Sequence, residues 1–127
     1  MIKFICITVL SLAVLGASTA SAQDLSRPQK NAVRSVKNYL NLTGFSRVGL
    51  INQLSSPYGD GFSVADATVA VDSMNIDWNA QAVRSANQYL EMTGFSCNGL
   101  VEQLSSEYGS QYTGSQTTYG AQQAGAC

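Results

Sequence analysis

Asn31–Ser63 and Gln81–Thr113 are one sequence written twice. Set fifty residues apart, eighteen of their thirty-three positions are identical. The matches fall on Ala, Val, Tyr, Leu, Gly and Phe as well as Ser, so they record a duplication and not a biased composition. A repeat near this period encodes helical units that bury their apolar faces by stacking on one another. The constraint is strong, because both copies must fold alike and a chain of 127 residues has room for little else.

Apolar spacing predicts three helices in each copy, and so an all-α fold of two tandem, helix-turn-helix-like units. Ser26 caps the first helix, with Pro28 in its first turn, where a missing N–H costs little. Val33, Val36 and Leu40 recur at helical spacing, flanked by Ala32 and Tyr39. Thr43-Gly44 is expected to end it, with the glycine in a left-handed conformation. Ser46 caps the second helix, and Phe45 in front of it packs on Leu50 as a hydrophobic staple. Leu50, Ile51 and Leu54 form its buried stripe. Ser63 and Asp66 are expected to make a capping box for a third helix carrying Val64, Ala67, Ala70, Val71 and Met74. Asn75-Ile76-Asp77 joins the units. Asp77 caps a fourth helix that begins with Trp78 and carries Ala82, Val83, Ala86, Tyr89 and Leu90. Leu100, Val101 and Leu104 mark a fifth, after Gly94-Phe95-Ser96. A sixth is expected near Ser115–Ala124, but it lacks an aliphatic stripe, and Gly120 near its middle costs about 1 kcal/mol relative to Ala.

The first 22 residues read as a secretory signal peptide. Lys3 is followed by an apolar run from Phe4 to Ala17 and a small-x-small site at Ala20-Ser21-Ala22. Cys6 lies at the start of that run, where lipidation is not expected. The run is short for a bilayer span, which takes roughly 20 residues; the alternative is an uncleaved anchor. Residues 23–76 then make the first unit and residues 77–127 the second.

Export determines how the remaining cysteines read. Cys97 and Cys127 form an even pair in an oxidising compartment, where a disulfide is the default. Cys97 falls in the first turn of the fifth helix. Cys127 falls beyond the sixth, at the position matching Asp77, so the two are expected to be neighbours. A bridge there contributes about 3–4 kcal/mol and replaces apolar contacts that the sixth helix lacks. The alternative is a bridge between two chains.

Chemistry for catalysis is scarce. The chain contains no histidine, which removes the usual acid–base and triad arrangements, and it has no phosphate-binding glycine loop. Ser55-Ser56 and Ser105-Ser106 read as helix-ending polar residues. Asp72, Asn75 and Asp77 resemble part of a calcium loop but lack its glycine and terminal glutamate. Asn41-Leu42-Thr43 is a formal glycosylation sequon. No catalytic residue, metal site or cofactor is expected. The net charge is −1, and about −2 without Lys3, which argues against nucleic-acid binding.

Charge is unevenly divided. Arg27, Lys30, Arg34, Lys37 and Arg47 balance Asp24, Asp60, Asp66, Asp72 and Asp77 in and around the first unit. The second sets only Arg84 against Glu91, Glu102 and Glu107. These three glutamates are the candidate partner-binding residues, an acidic face suited to a basic segment of a protein. Tyr39, Phe45, Tyr89 and Phe95 are expected in or near the core. Tyr58, Tyr108, Tyr112 and Tyr119 are placed in loops or in the weak sixth helix.

Several of these residues carry a resemblance. Tyr-Leu, then Phe-Ser-x-x-Gly-Leu, a second helix ending in Gln-Leu, "DATVAVD" at Asp66–Asp72 and "IDW" at Ile76–Trp78 together resemble the host cell surface-exposed lipoprotein repeat, the Ltp family. The resemblance spans both units. It implies tandem helical repeats and superinfection exclusion, in which a protein outside the cytoplasmic membrane stops an incoming phage from delivering its DNA by engaging the injected tape-measure protein. It also implies proximity to the membrane. Two departures stand out: no lipobox cysteine precedes the mature chain, pointing to a soluble periplasmic or secreted form, and the sixth helix has lost the Ala-Val-Asp pattern. The alternatives to phage exclusion are a bacterial periplasmic or cell-surface interaction protein and a secreted enzyme inhibitor.

Overall fold

The computed structural model describes residues 24–127. The leader, its cleavage site and Cys6 lie outside the described residues. Six helices follow in order: α1 Arg27–Leu42, α2 Arg47–Ser55, α3 Val64–Asp72, α4 Trp78–Met92, α5 Cys97–Ser105 and α6 Gly114–Gln123. The described residues contain no strand.

Each trio surrounds its own core. Val36, Leu50, Ile51, Leu54, Ala67 and Val71 are buried together in the first, with Tyr39, Leu40, Phe45, Phe62 and Trp78 packed against them. Trp78 opens α4 yet packs on the first core, which couples the two units. Ala82, Ala86, Leu100, Leu104, Tyr112 and Ala121 form the second core. The Tyr–Phe pairs repeat as well, edge to face at 5.8 Å in both Tyr39–Phe45 and Tyr89–Phe95. Gln53 and Gln103 donate to the respective tyrosine hydroxyls at 3.3 Å.

Three local expectations are corrected. Val64 is exposed rather than buried, because it is the first residue of α3 and faces outward. The Ser63–Asp66 box is half formed: the Asp66 amide donates to Ser63 Oγ at 3.1 Å, but the Asp66 carboxylate accepts from Gln29 Nε2 at 3.1 Å. Aspartate is one methylene short of the glutamate that reaches back to a cap amide, and here it ties α3 to α1. Complete boxes occur instead at Ser26–Gln29 and Thr113–Gln116. Third, α1 and α4 end through Thr43 and Thr93 in extended conformation, and neither Gly44 nor Gly94 has a positive φ. The left-handed positions are Gly61 and Gln111, and Asn75 and Gly125. These are two pairs fifty residues apart, so the repeat imposes the same turns on both units.

α6 forms within a residue of its expected span, Gly114–Gln123. A Cβ built on Gly120 would lie 2.8 Å from the carbonyl carbon and oxygen of Ala82, so the glycine lets α6 approach α4 at backbone distance. The propensity lost in isolation is offset by close packing. Thr113 and Gln116 cap the helix start, and Tyr112, the counterpart of Phe62, packs in the second core. Tyr112 is 3% exposed, and its hydroxyl donates to Gln81 O at 2.9 Å and pairs with Ser85 Oγ at 2.7 Å. Burial pushes the Tyr112 phenol up to about 12.

Candidate interaction surface

The two units meet at the corner between α1 and α2. Thr43 Oγ1 and the Gly44 amide both donate to Gln88 Oε1, at 2.8 and 3.0 Å. Arg84 Nη1 donates to Leu40 O. Ser46, which accepts from the Gly49 amide as the N-cap of α2, also donates its hydroxyl to Ser110 O. Asn52 Nδ2 reaches Gln111 Oε1 at 3.2 Å. A Cβ on Gly44 would fall 3.0 Å from the backbone of both Gln81 and Ser85. The corner therefore needs a glycine because another helix lies against it.

The same four residue types recur as Thr93-Gly94-Phe95-Ser96, and among the described residues no other helix covers them. Thr93, Gly94 and Ser96 are exposed. Nothing lies within 4 Å of a Cβ built on Gly94. Ser96 accepts from the Gly99 amide at 3.0 Å as a cap, with no counterpart of the Ser110 contact. Sequence reasoning treated this corner only as a helix boundary. The signal that could have found it was the unbroken Thr-Gly-Phe-Ser in both copies.

Glu91, Glu102 and Glu107 are all exposed. Glu102 occupies the position of Asn52, which in the first unit touches the neighbouring unit, so it borders the open corner. Glu91 lies in the last turn of α4, two residues before Thr93. Glu107 lies in the turn between α5 and α6, farther along. Among the described residues no cation pairs with them, the one ion pair being Arg47–Asp72. Glu91 also sits at the negative end of its helix dipole, where a carboxylate is unfavourable. Its placement does not serve helix stability.

Tyr58 and Tyr108 stand at equivalent turn positions, 99% and 94% exposed. Tyr119 is partly exposed, whereas Tyr112, in the loop before α6 where it was expected, is buried. Two shallow clefts of about 160 and 270 Å³ lie along the junction, sharing Thr43, Gly44, Tyr89 and Ser110. Small-molecule sites are commonly about 300–1,000 Å³, and both clefts fall below that range. No cluster of acidic or cysteine side chains among the described residues could hold a metal ion, and none of the helices described is long and apolar enough to cross a membrane.

The far end of each unit is fastened. Cys97 Sγ is bonded to Cys127 Sγ, with a Cα–Cα distance of 4.8 Å. At the equivalent place in the first unit, Arg47 Nε and Nη2 donate to the two Asp72 carboxylate oxygens at 2.7 and 2.8 Å. That hydrogen bonding holds the Asp72 carboxyl below the usual carboxylate range.

Comparison with known proteins agrees with this two-unit architecture. A family model described as host cell surface-exposed lipoprotein matches residues 28–74 and again 77–123. Among solved structures, the chain is similar to Ltp, a superinfection exclusion protein from the Streptococcus thermophilus temperate phage TP-J34. The TM-score is 0.69 at 28% identity, covering 77% of this chain and 96% of that one. No curated protein sequence matches.

Proposed function

Because the chain belongs to the Ltp family of host cell surface-exposed lipoproteins, we propose that it is an exported protein-binding module that excludes superinfecting phage. It acts by engaging a protein injected with the phage DNA, with the tape-measure protein as the proposed target. The observation that carries this reading is the likeness, over both units, to a phage superinfection exclusion protein.

Other features support a role in binding rather than catalysis. The chain has no histidine, and its clefts are small. The second unit presents three exposed glutamates with one arginine, and Arg84 is engaged at the junction with Leu40 O. An acidic rim of this kind steers a basic protein segment and discriminates against nucleic acid. The predicted leader places the protein outside the cytoplasmic membrane, where incoming phage proteins emerge. The proposed place of action is the periplasm or the outside of the cell.

The test is expression of the full chain in a sensitive host, followed by phage challenge. Adsorption should match that of control cells while the number of infective centres falls at least tenfold. Normal plaque formation at normal adsorption would remove the exclusion role.

A further inference from the structure

We infer that the open Thr93-Gly94-Phe95-Ser96 corner, bordered by Glu91 and Glu102, is the docking site for a helix of a protein partner that carries Arg-small-x-x-Gln. This deepens the proposed function and rests on it for the source of the helix. The recognition chemistry is read from the protein's own interior.

The first unit shows what such a corner accepts. Its occupant is α4, through three residues on one face. Arg84 donates to the carbonyl of Leu40 near the end of α1. Ser85 is small enough to lie against Gly44. Gln88, one turn on from Arg84, takes the Thr43 hydroxyl and the Gly44 amide on its side-chain oxygen. Arginine and glutamine four residues apart share a helix face, so one helix satisfies all these groups at once.

The second unit offers the corresponding groups unoccupied. The Leu90 carbonyl stands for that of Leu40, and the Thr93 hydroxyl and Gly94 amide for those of Thr43 and Gly44. Gly94 has an ordinary φ and open space around its Cα, so nothing within the chain requires glycine there. A docked helix does require it, as Gly44 demonstrates.

The rim indicates the sign of the occupant. Asn41 and Asn52 of the first unit become Glu91 and Glu102 in the second. Asn52 donates an amide hydrogen to Gln111, and a carboxylate at the matching place cannot; it favours a cation instead. A carboxylate rim of this kind favours a cationic helix such as one carrying an arginine. The arginine can meet Glu91, the residue after Leu90, as well as the Leu90 carbonyl.

The experiment is an NMR titration of the full mature protein with a helix-stapled peptide of the α4 sequence, residues 78–92. The expected result is saturable shifts confined to the amides around Thr93–Ser96. Replacing the peptide's arginine by alanine should weaken binding at least fivefold, and so should Gly94→Ala in the protein. Gly94→Ala meets no atom of the chain itself, so it should unfold at the same temperature as wild type. Absence of shifts at the corner, or equal binding by Gly94→Ala, overturns the inference. Concentration-dependent shifts at the corner without peptide, abolished by Gly94→Ala, would assign it to a second copy of this chain and also overturn it. Because the titration contains no phage, its failure is distinct from a failure of exclusion.

Discussion

Arg47 and Cys97 hold the same place in their respective units, and each fastens the start of a second helix to the chain at the end of a third. Arg47 does so with a two-pronged ion pair to Asp72. Cys97 does so with a covalent bond to Cys127, closing a separation of 30 residues. The two fastenings differ in strength. An exposed ion pair contributes up to about 1 kcal/mol, and a disulfide closing such a loop about 3–4 kcal/mol. Cys97→Ser should therefore lower the stability of α5 and α6 far more than Arg47→Ala lowers that of α2 and α3. Hydrogen exchange resolved by helix checks this. Equal loss of protection in both variants would contradict the ranking.

The ion pair has a pH signature. The Asp72 carboxyl titrates below its unfolded value because Arg47 bonds its charged form. Its contribution is present above the unfolded carboxylate pKa of about 3.9 and is lost as pH falls through the lower folded value. Arg47→Ala should narrow its stability gap to wild type as acid is added, with little change in that gap between pH 6 and 8. Urea unfolding at a series of pH values measures it.

Tyr112 gives the opposite limb. Its folded pKa is raised to about 12 by burial, above the unfolded phenol value of about 10. The protonated form is the one the core accepts, so its contribution is complete below about pH 10 and lost as pH rises toward 12. Tyr112→Phe should remove much of this alkaline loss while costing stability at pH 7, because the bonds to Gln81 and Ser85 go with the hydroxyl. A variant as sensitive as wild type between pH 10 and 12 would show that Tyr112 is not the group responsible.

Gly120→Ala tests the α4–α6 contact. Helix propensity alone predicts a gain of about 1 kcal/mol. The new methyl would instead lie 2.8 Å from the Ala82 carbonyl, and overpacking of this kind typically costs about 1–3 kcal/mol. The expected outcome is a lower melting temperature, in contrast to an unchanged one for Gly94→Ala. A more stable Gly120→Ala would mean that α6 can move away from α4 freely.

Thr117 is fully buried with no partner for its hydroxyl, at the position that is Ala67 in the first unit. An unsatisfied buried polar group costs about 1–3 kcal/mol. Thr117→Val keeps the shape and removes the polar atom, so it should raise the unfolding midpoint in urea without altering the slope.

Much of the scaffold was legible in the sequence because periodic Val, Leu and Ala, caps such as Ser46 and Asp77, and the duplication all point the same way. The losses are instructive. Gly120 and Gly44 were read for their backbone freedom, while the structure uses them for close approach, and which helix lies against a glycine is a tertiary fact. Tyr112 does lie in the loop its neighbours indicate, but its burial was not legible, because it depends on Ala82, Ala86 and Ala121 of α4 and α6 in the same core. The open corner was visible only as repeated letters. Its role emerges once the first copy is seen covered and the second bare.

Phage DNA entry, quantified inside cells that carry equal amounts of wild-type protein or the Glu91→Gln, Glu102→Gln, Glu107→Gln variant and that adsorb phage equally, tests the central claim most directly. The account predicts little internal phage DNA with wild type and near-control amounts with the variant, although Glu91→Gln on its own should stabilise α4 by on the order of 0.3 kcal/mol. Exclusion by the variant as complete as by wild type would contradict it.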